Sequence, residues 1–289
     1  MKKPQLITIA IAVLATALIY FFGKTTSSKA APVAETQHSA DDGHDHGPAP
    51  AELSVDSILL MAKKQLPASL LTKINDAEAV VTGSANKEDV THAYHKLTAL
   101  WGDSARIFEP YAWYKAESAR LENSEKNLTF AARLFLENLE QERNPALLKW
   151  KATQAKDLFE RSLKLNPQND SAKVGLGAAM IFGNISSAPM KDIGTIKEVA
   201  DRDSTNVYAQ VILAKASILS GQYDKAVGRL ETVARLEPDN VEACLMLADV
   251  FEKTGNKKAA ITWYERSMKL INIPDANKEI GKRIEELKK

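Results

Sequence analysis

Histidines and carboxylates gather at one place in this 289-residue chain: His38, followed by Asp41-Asp42-Gly43-His44-Asp45-His46. Imidazole nitrogens and carboxylate oxygens so close together are potential ligands for zinc, copper or nickel, and His44 and His46 are the weak metal candidates. The surrounding residues, 24–52, are rich in Ala, Ser, Pro, Gly and Asp and lack any apolar periodicity. Such a stretch cannot offset the entropy of ordering, so it reads as a disordered linker with no preformed coordination geometry. The favoured reading is a tether that contains histidines. A periplasmic metal-handling protein with the linker as its arm is the alternative.

Other residues with chemical potential resolve into bland roles. His92 and His95 share a helix face but have no third ligand at helical spacing, so His95 is expected to be a partly buried polar residue beside Tyr94 and Trp101. The single cysteine, Cys244, lies among apolar residues, where a thiol behaves as a small hydrophobe. No histidine follows residue 95, which removes the commonest general base from the rest of the chain. Gly175-Leu176-Gly177 has neither the preceding strand nor the third glycine of a phosphate-binding loop. Carboxylate pairs such as Glu285-Glu286 read as solvated helix faces. The sequence therefore implies no catalytic residue, no enzyme and no cofactor.

The elements around these residues say more. Basic and acidic residues nearly balance, 38 against 37, which argues against a nucleic-acid partner. At the N-terminus Lys2 and Lys3 precede an uncharged stretch from Pro4 to Gly23 that ends in Tyr20-Phe21-Phe22. About 20 apolar residues span a bilayer as a helix, and terminal aromatics suit its interface. A cleaved signal peptide ending near Ser28-Lys29-Ala30 is the competing reading. The length favours a retained anchor over residues 1–23. The expected location is a bacterial inner membrane, crossed once, with the body facing the periplasm.

From there the chain repeats. Leu236-Glu237-Pro238-Asp239-Asn240 matches Arg202-Asp203-Ser204-Thr205-Asn206 at a spacing of 34 residues, and Leu165-Asn166-Pro167-Gln168-Asn169 lies 37 before that. The mid-repeat segments Ser220-Gly221-Gln222-Tyr223 and Thr254-Gly255-Asn256-Lys257 fall in the same register. Small residues recur at Ala214 and Ala248 in the first helices and at Ala226 and Ala260 in the second. Leu213, Leu230, Leu247, Phe251 and Tyr264 fill larger core positions at helical spacing. These features resemble the tetratricopeptide repeat (TPR) family over residues 170–273, although Gln210 and Cys244 replace a frequent Trp and Ser217 a frequent Tyr.

The resemblance implies an all-α, right-handed superhelical solenoid of antiparallel helix pairs, here preceded by one N-terminal transmembrane helix. Residues 53–169 are expected to form divergent helical pairs: 53–66 with 67–81, 86–100 with 106–122, and 128–142 with 146–165. The second helix of the unit at Asp170 is expected to be broken at Ser186 to Pro189 and to resume from about Met190 to Asp203, and residues 274–289 to form a capping helix.

Family members bind protein or peptide in the concave groove lined by their first helices. Carried onto this chain, the resemblance gives Phe182, Tyr208, Lys215, Ile218, Leu219, Asp249 and Glu252 as groove residues, with Val174, Ala178, Ile181, Val211, Glu242, Leu245 and Lys253 at further groove-facing positions, of which Val211 and Leu245 have a core reading as the alternative. The ordered Lys and Asn set of chaperone-binding relatives is missing, since Ala178 stands where an Asn is needed. The expectation is a membrane-anchored scaffold whose partner and oligomeric state the sequence leaves open.

Overall fold

Asparagine opens the repeats. Asn169, Asn206 and Asn240 each stand in extended backbone before a first helix and accept a hydrogen bond from the N–H three residues on, at 2.9, 3.0 and 2.8 Å. A cap of this kind stabilises its helix by about 1 kcal/mol. The computed structural model describes residues 53–289, and thirteen α-helices lie among the described residues. The first six are α1 (Val55–Lys63), α2 (Ala68–Gly83), α3 (Lys87–Ala99), α4 (Phe108–Glu122), α5 (Glu125–Leu139) and α6 (Pro145–Leu165). Then come α7 (Asp170–Phe182), α8 (Pro189–Arg202), α9 (Val207–Leu219), α10 (Tyr223–Leu236), α11 (Val241–Lys253), α12 (Lys257–Leu270) and α13 (Pro274–Leu287). The anchor, the linker, His44 and His46 lie outside the described residues. No helix among the described residues is long and apolar enough to cross a membrane.

From α2 onward each helix packs against the next, and α5 also touches α7, as α7 touches α9, so first helices line up along a solenoid. The turns that reverse the chain use left-handed backbone. Gly221 (φ +72°) and Gly255 (φ +80°) follow α9 and α11, and the N–H groups of Gln222 and Asn256 reach back to Ser217 O and Phe251 O, both at 2.8 Å. Glycine accepts this geometry at no steric cost. After α7 the left-handed residue is Asn184 (φ +51°), with Ile185 N–H bonded to Met180 O at 3.1 Å.

The helix expected to resume from about Met190 to Asp203 is α8, but residues 183–188 before it are a turn and not the first part of a broken helix. Helix α8 is continuous and has 14 residues, as do α10 and α12. The three extra residues of the longer repeat sit in the α7–α8 turn, where Ser186 hydrogen-bonds Asp192 and Pro189 starts the helix.

Close helix contacts explain the small residues. Ala214, Ala226, Ala248 and Ala260 are fully buried. A Cβ on Gly175 would stand 2.2 Å from Phe159 Cζ, and one on Gly177 would stand 2.8 Å from Ile196 Cδ1. The Gly-Leu-Gly run is thus a packing seam between α7 and its neighbours. Cys244 is fully buried as expected, and burial pushes its thiol pKa up.

The N-terminal portion departs from the expected pairing. Helix α1 lies mainly against α4, while α2 pairs with α3. Glu78 ties α1, α2 and α4 together, accepting from Lys63 of α1 and, at 2.6 Å, from the Tyr114 hydroxyl of α4. Between α3 and α4 a π-helical turn, Leu100–Ala105, buries Trp101 completely. His95 is not buried beside it. The imidazole is half exposed and sits 3.1 Å from Glu122 Oε1. At the far end α13 buries Ile284, with Ile280 and Leu287 partly covered, against Ala260 and Tyr264, leaving its charged face to water as a solenoid cap requires.

Candidate docking groove

Helix α9 is apolar on nearly all sides, VYAQVILAKASIL, and Lys215 is its only charged residue. One side of the helix packs into the core through Ala209, Leu213 and Ala216, all buried. The opposite side, Tyr208, Lys215, Ile218 and Leu219, lines an open groove bounded by α5, α7 and α11. Leu219 is 71 % exposed and stands beside Ile218 and Phe182 in an apolar wall.

Two adjoining hollows make up the groove, of about 450 and 330 Å³. Leu139, Leu148, Phe182, Ile218, Leu219 and Met246 give the larger its apolar wall. Arg133, Leu136, Glu137, Tyr208, Val211 and Ile212 line the smaller. Glu140, Phe182, Lys215 and Glu242 belong to both.

At this junction the Lys215 ammonium is held between two carboxylates, Glu140 from the end of α5 and Glu242 from α11, the latter at 2.6 Å. Burial on its own lowers a lysine pKa, but the hydrogen bonds and charges of Glu140 and Glu242 outweigh it, so Lys215 stays charged well into the alkaline range. Glu142 on the rim is turned to another task. With Glu109 and Asn138 it satisfies the buried Lys151 ammonium, at 2.5, 2.9 and 2.7 Å respectively.

Tyr208 lies at the base of the smaller hollow beneath Arg133, whose guanidinium is 5.0 Å from the ring centroid. Its hydroxyl is buried and has no hydrogen-bond partner among the described residues. Burial is also the first cause that pushes its pKa up to about 12.

Five of the seven groove residues read from the sequence therefore meet at one place: Phe182, Tyr208, Lys215, Ile218 and Leu219. Asp249 and Glu252 lie apart from both hollows. They accept the Tyr264 hydroxyl at 2.5 and 3.0 Å, and Glu252 also binds Arg283 of α13, with Nε at 2.9 Å. The last repeat thus uses Glu252 to seat the capping helix, while Asp249 holds Tyr264 of α12. Val174 and Ala178 are fully buried core residues, while Val211, although buried, still borders the smaller hollow.

Sequence reasoning missed the α5 side of the groove, where Arg133, Glu137, Leu139 and Glu140 stand. Its signal was weak because the unit of α5 and α6 was recognisable only through its second helix. Among the described residues no group of three or more His, Cys, Asp and Glu side chains could hold a metal ion.

Residues 217–269 match the family model described as tetratricopeptide repeat. No curated protein matches the chain. Among solved structures, a MamA fragment (41-end) from Desulfovibrio magneticus RS-1 is 20 % identical, with 62 % of this chain and 94 % of that one covered at a TM-score of 0.42. A second MamA structure is 13 % identical and covers 62 % of this chain and 91 % of its own, also at 0.42. YrrB, described as a TPR protein with an unusual peptide-binding site, is 13 % identical, with 67 % and 90 % covered at 0.39.

Proposed function

We propose that this tetratricopeptide-repeat chain is a membrane-tethered adaptor without catalytic activity, which holds a segment of another protein in the groove bounded by α5, α7, α9 and α11. The observation that carries this reading is the apolar wall of the larger hollow, with Leu219 at 71 % exposure beside Phe182, Ile218 and Met246. A solenoid offers an extended surface of this kind, and a few large apolar anchors at the centre of an interface supply most of its affinity. The tether is supported by Lys2, Lys3 and the uncharged run Pro4–Gly23. A membrane anchor concentrates whatever the groove holds near the bilayer, which raises effective affinity without new contacts. The body then faces the periplasm of a bacterium.

Affinity capture of partners from membrane extracts, by the wild-type chain and by Leu219→Asp in parallel, tests this. Leu219 is exposed, so the substitution is expected to leave thermal stability within about 0.5 kcal/mol of wild type. A partner retained by wild type and lost by Leu219→Asp supports the groove. Equal capture by both proteins counts against it.

A further inference from the structure

We infer that the occupant of the groove is a basic peptide segment: one large apolar side chain enters the larger hollow while a neighbouring Lys or Arg meets Glu140 and Glu242. This rests on the reading of the groove as a docking surface and specifies its partner.

The case begins with where the charges end up. Arg133 and Glu137 face each other at 3.4 Å and cancel. Glu142 is committed to the buried Lys151. What remains is Lys215 between Glu140 and Glu242, two carboxylates on one ammonium. The ammonium is the buried member, since the Lys215 side chain is 18 % exposed against 47 % for Glu140 and 53 % for Glu242. The face shown to a partner is therefore negative.

Both carboxylates spend Oε1 on Lys215, and neither Oε2 makes a hydrogen bond among the described residues. Each has lone pairs directed elsewhere that an incoming ammonium or guanidinium can use. Beside them stand Leu139, Leu148, Phe182, Ile218, Leu219 and Met246, a wall that takes an aliphatic or aromatic side chain. Anions are disfavoured here, as is an uncharged hydrocarbon chain, which would desolvate two carboxylates without pairing them.

The groove extends over two adjoining hollows of about 450 and 330 Å³, an extent that suits a peptide segment. The required pattern is short, an apolar residue with a basic residue within one helical turn or two strand positions of it.

The test uses the full chain in detergent micelles and a phage-displayed library of random 12-residue peptides. Selected peptides are expected to pair a large apolar residue with nearby Lys or Arg. A synthetic peptide of the selected sequence is then titrated by fluorescence anisotropy against wild type, the double variant Glu140→Gln/Glu242→Gln, and Leu219→Asp. Binding is expected to weaken about tenfold or more in the double variant, to weaken with added salt, and to vanish in Leu219→Asp. The same peptide with its basic residues replaced by Glu should not bind wild type, a measurement that needs no change to the protein.

Selected peptides that are acidic or uncharged, or full affinity in the double variant, overturn the inference. If Leu219→Asp still abolishes that binding, the groove stands and only its partner chemistry is wrong. If Leu219→Asp binds like wild type, or if no peptide is selected at all, the groove reading falls together with the inference.

Discussion

Phe159 of α6 fills the space that a side chain on Gly175 of α7 would need, with its Cζ 2.2 Å from the position of a Cβ. Phe159 is itself fully buried, so its ring has little room to retreat. Gly175→Ala should thus destabilise the protein by roughly 1–3 kcal/mol, although alanine is the better helix former. Gly228 of α10 has nothing within 4 Å of its Cβ position, so Gly228→Ala should stabilise, by up to about 1 kcal/mol. Thermal melts of the two variants should move in opposite directions. A shared direction would contradict the packing seam between α6 and α7.

Glu142 should contribute to acid sensitivity, alongside Glu122, Asp157 and Asp203, whose carboxyls are also held below their ordinary values. Burial raises the Glu142 pKa, but hydrogen bonds from Lys151 and from the Asn144 N–H outweigh it and leave the group below its ordinary value of 4.5. A carboxylate depressed on folding contributes stability that is present above its unfolded pKa and is lost as pH falls through its folded one. Stability should therefore decline as pH drops below about 4.5. Glu142→Gln should cost roughly 1–3 kcal/mol at neutral pH and flatten that decline. Urea titrations at pH 7 and pH 4 check both. An unchanged acid slope in the variant would place the sensitivity elsewhere.

The cap makes a separate prediction. Removing residues 274–289 uncovers Ala260 and Tyr264 and leaves Glu252 without Arg283. The truncated protein should melt earlier and self-associate, because an uncapped solenoid end presents its core to other molecules. Sedimentation and melting compare the two forms. A monomer of unchanged stability would mean that α13 is dispensable.

The repeats were legible because the residues that set them act locally: Asn206 and Asn240 cap, Gly221 and Gly255 turn, and Ala214 and Ala248 recur at one spacing. The longer α7–α8 turn was not legible, since Ser186 to Pro189 read equally well as a broken helix. Nor was the groove read completely. Lys215 and Glu140 are 75 residues apart, and no local pattern announces their contact. Asp249 and Glu252 occupy groove positions of the repeat, yet both accept the Tyr264 hydroxyl, and Glu252 meets Arg283 of a capping helix in place of another repeat. Helix α1 misled for a related reason, because its closest partner, α4, lies beyond the helices that follow it in the chain.

The N-terminus carries an independent prediction, that the mature protein retains residues 1–30. The basis is the uncharged run Pro4–Gly23 with Tyr20, Phe21 and Phe22 at its end, longer than a signal peptide's apolar core of about 7–15 residues. Intact-mass measurement of the native protein checks this. Loss of some 30 N-terminal residues would instead indicate a cleaved signal peptide.

The most direct measurement of the groove is site-specific photo-crosslinking in native membranes. A photoreactive residue is placed at Leu219 in the groove in one protein and at Glu231, exposed on α10, in another. A protein adduct formed at Leu219 and absent at Glu231 is the predicted result, and excess of a groove-binding peptide should suppress it. Adducts of equal yield at both positions, or at Glu231 alone, would contradict a partner seated between α5, α7, α9 and α11.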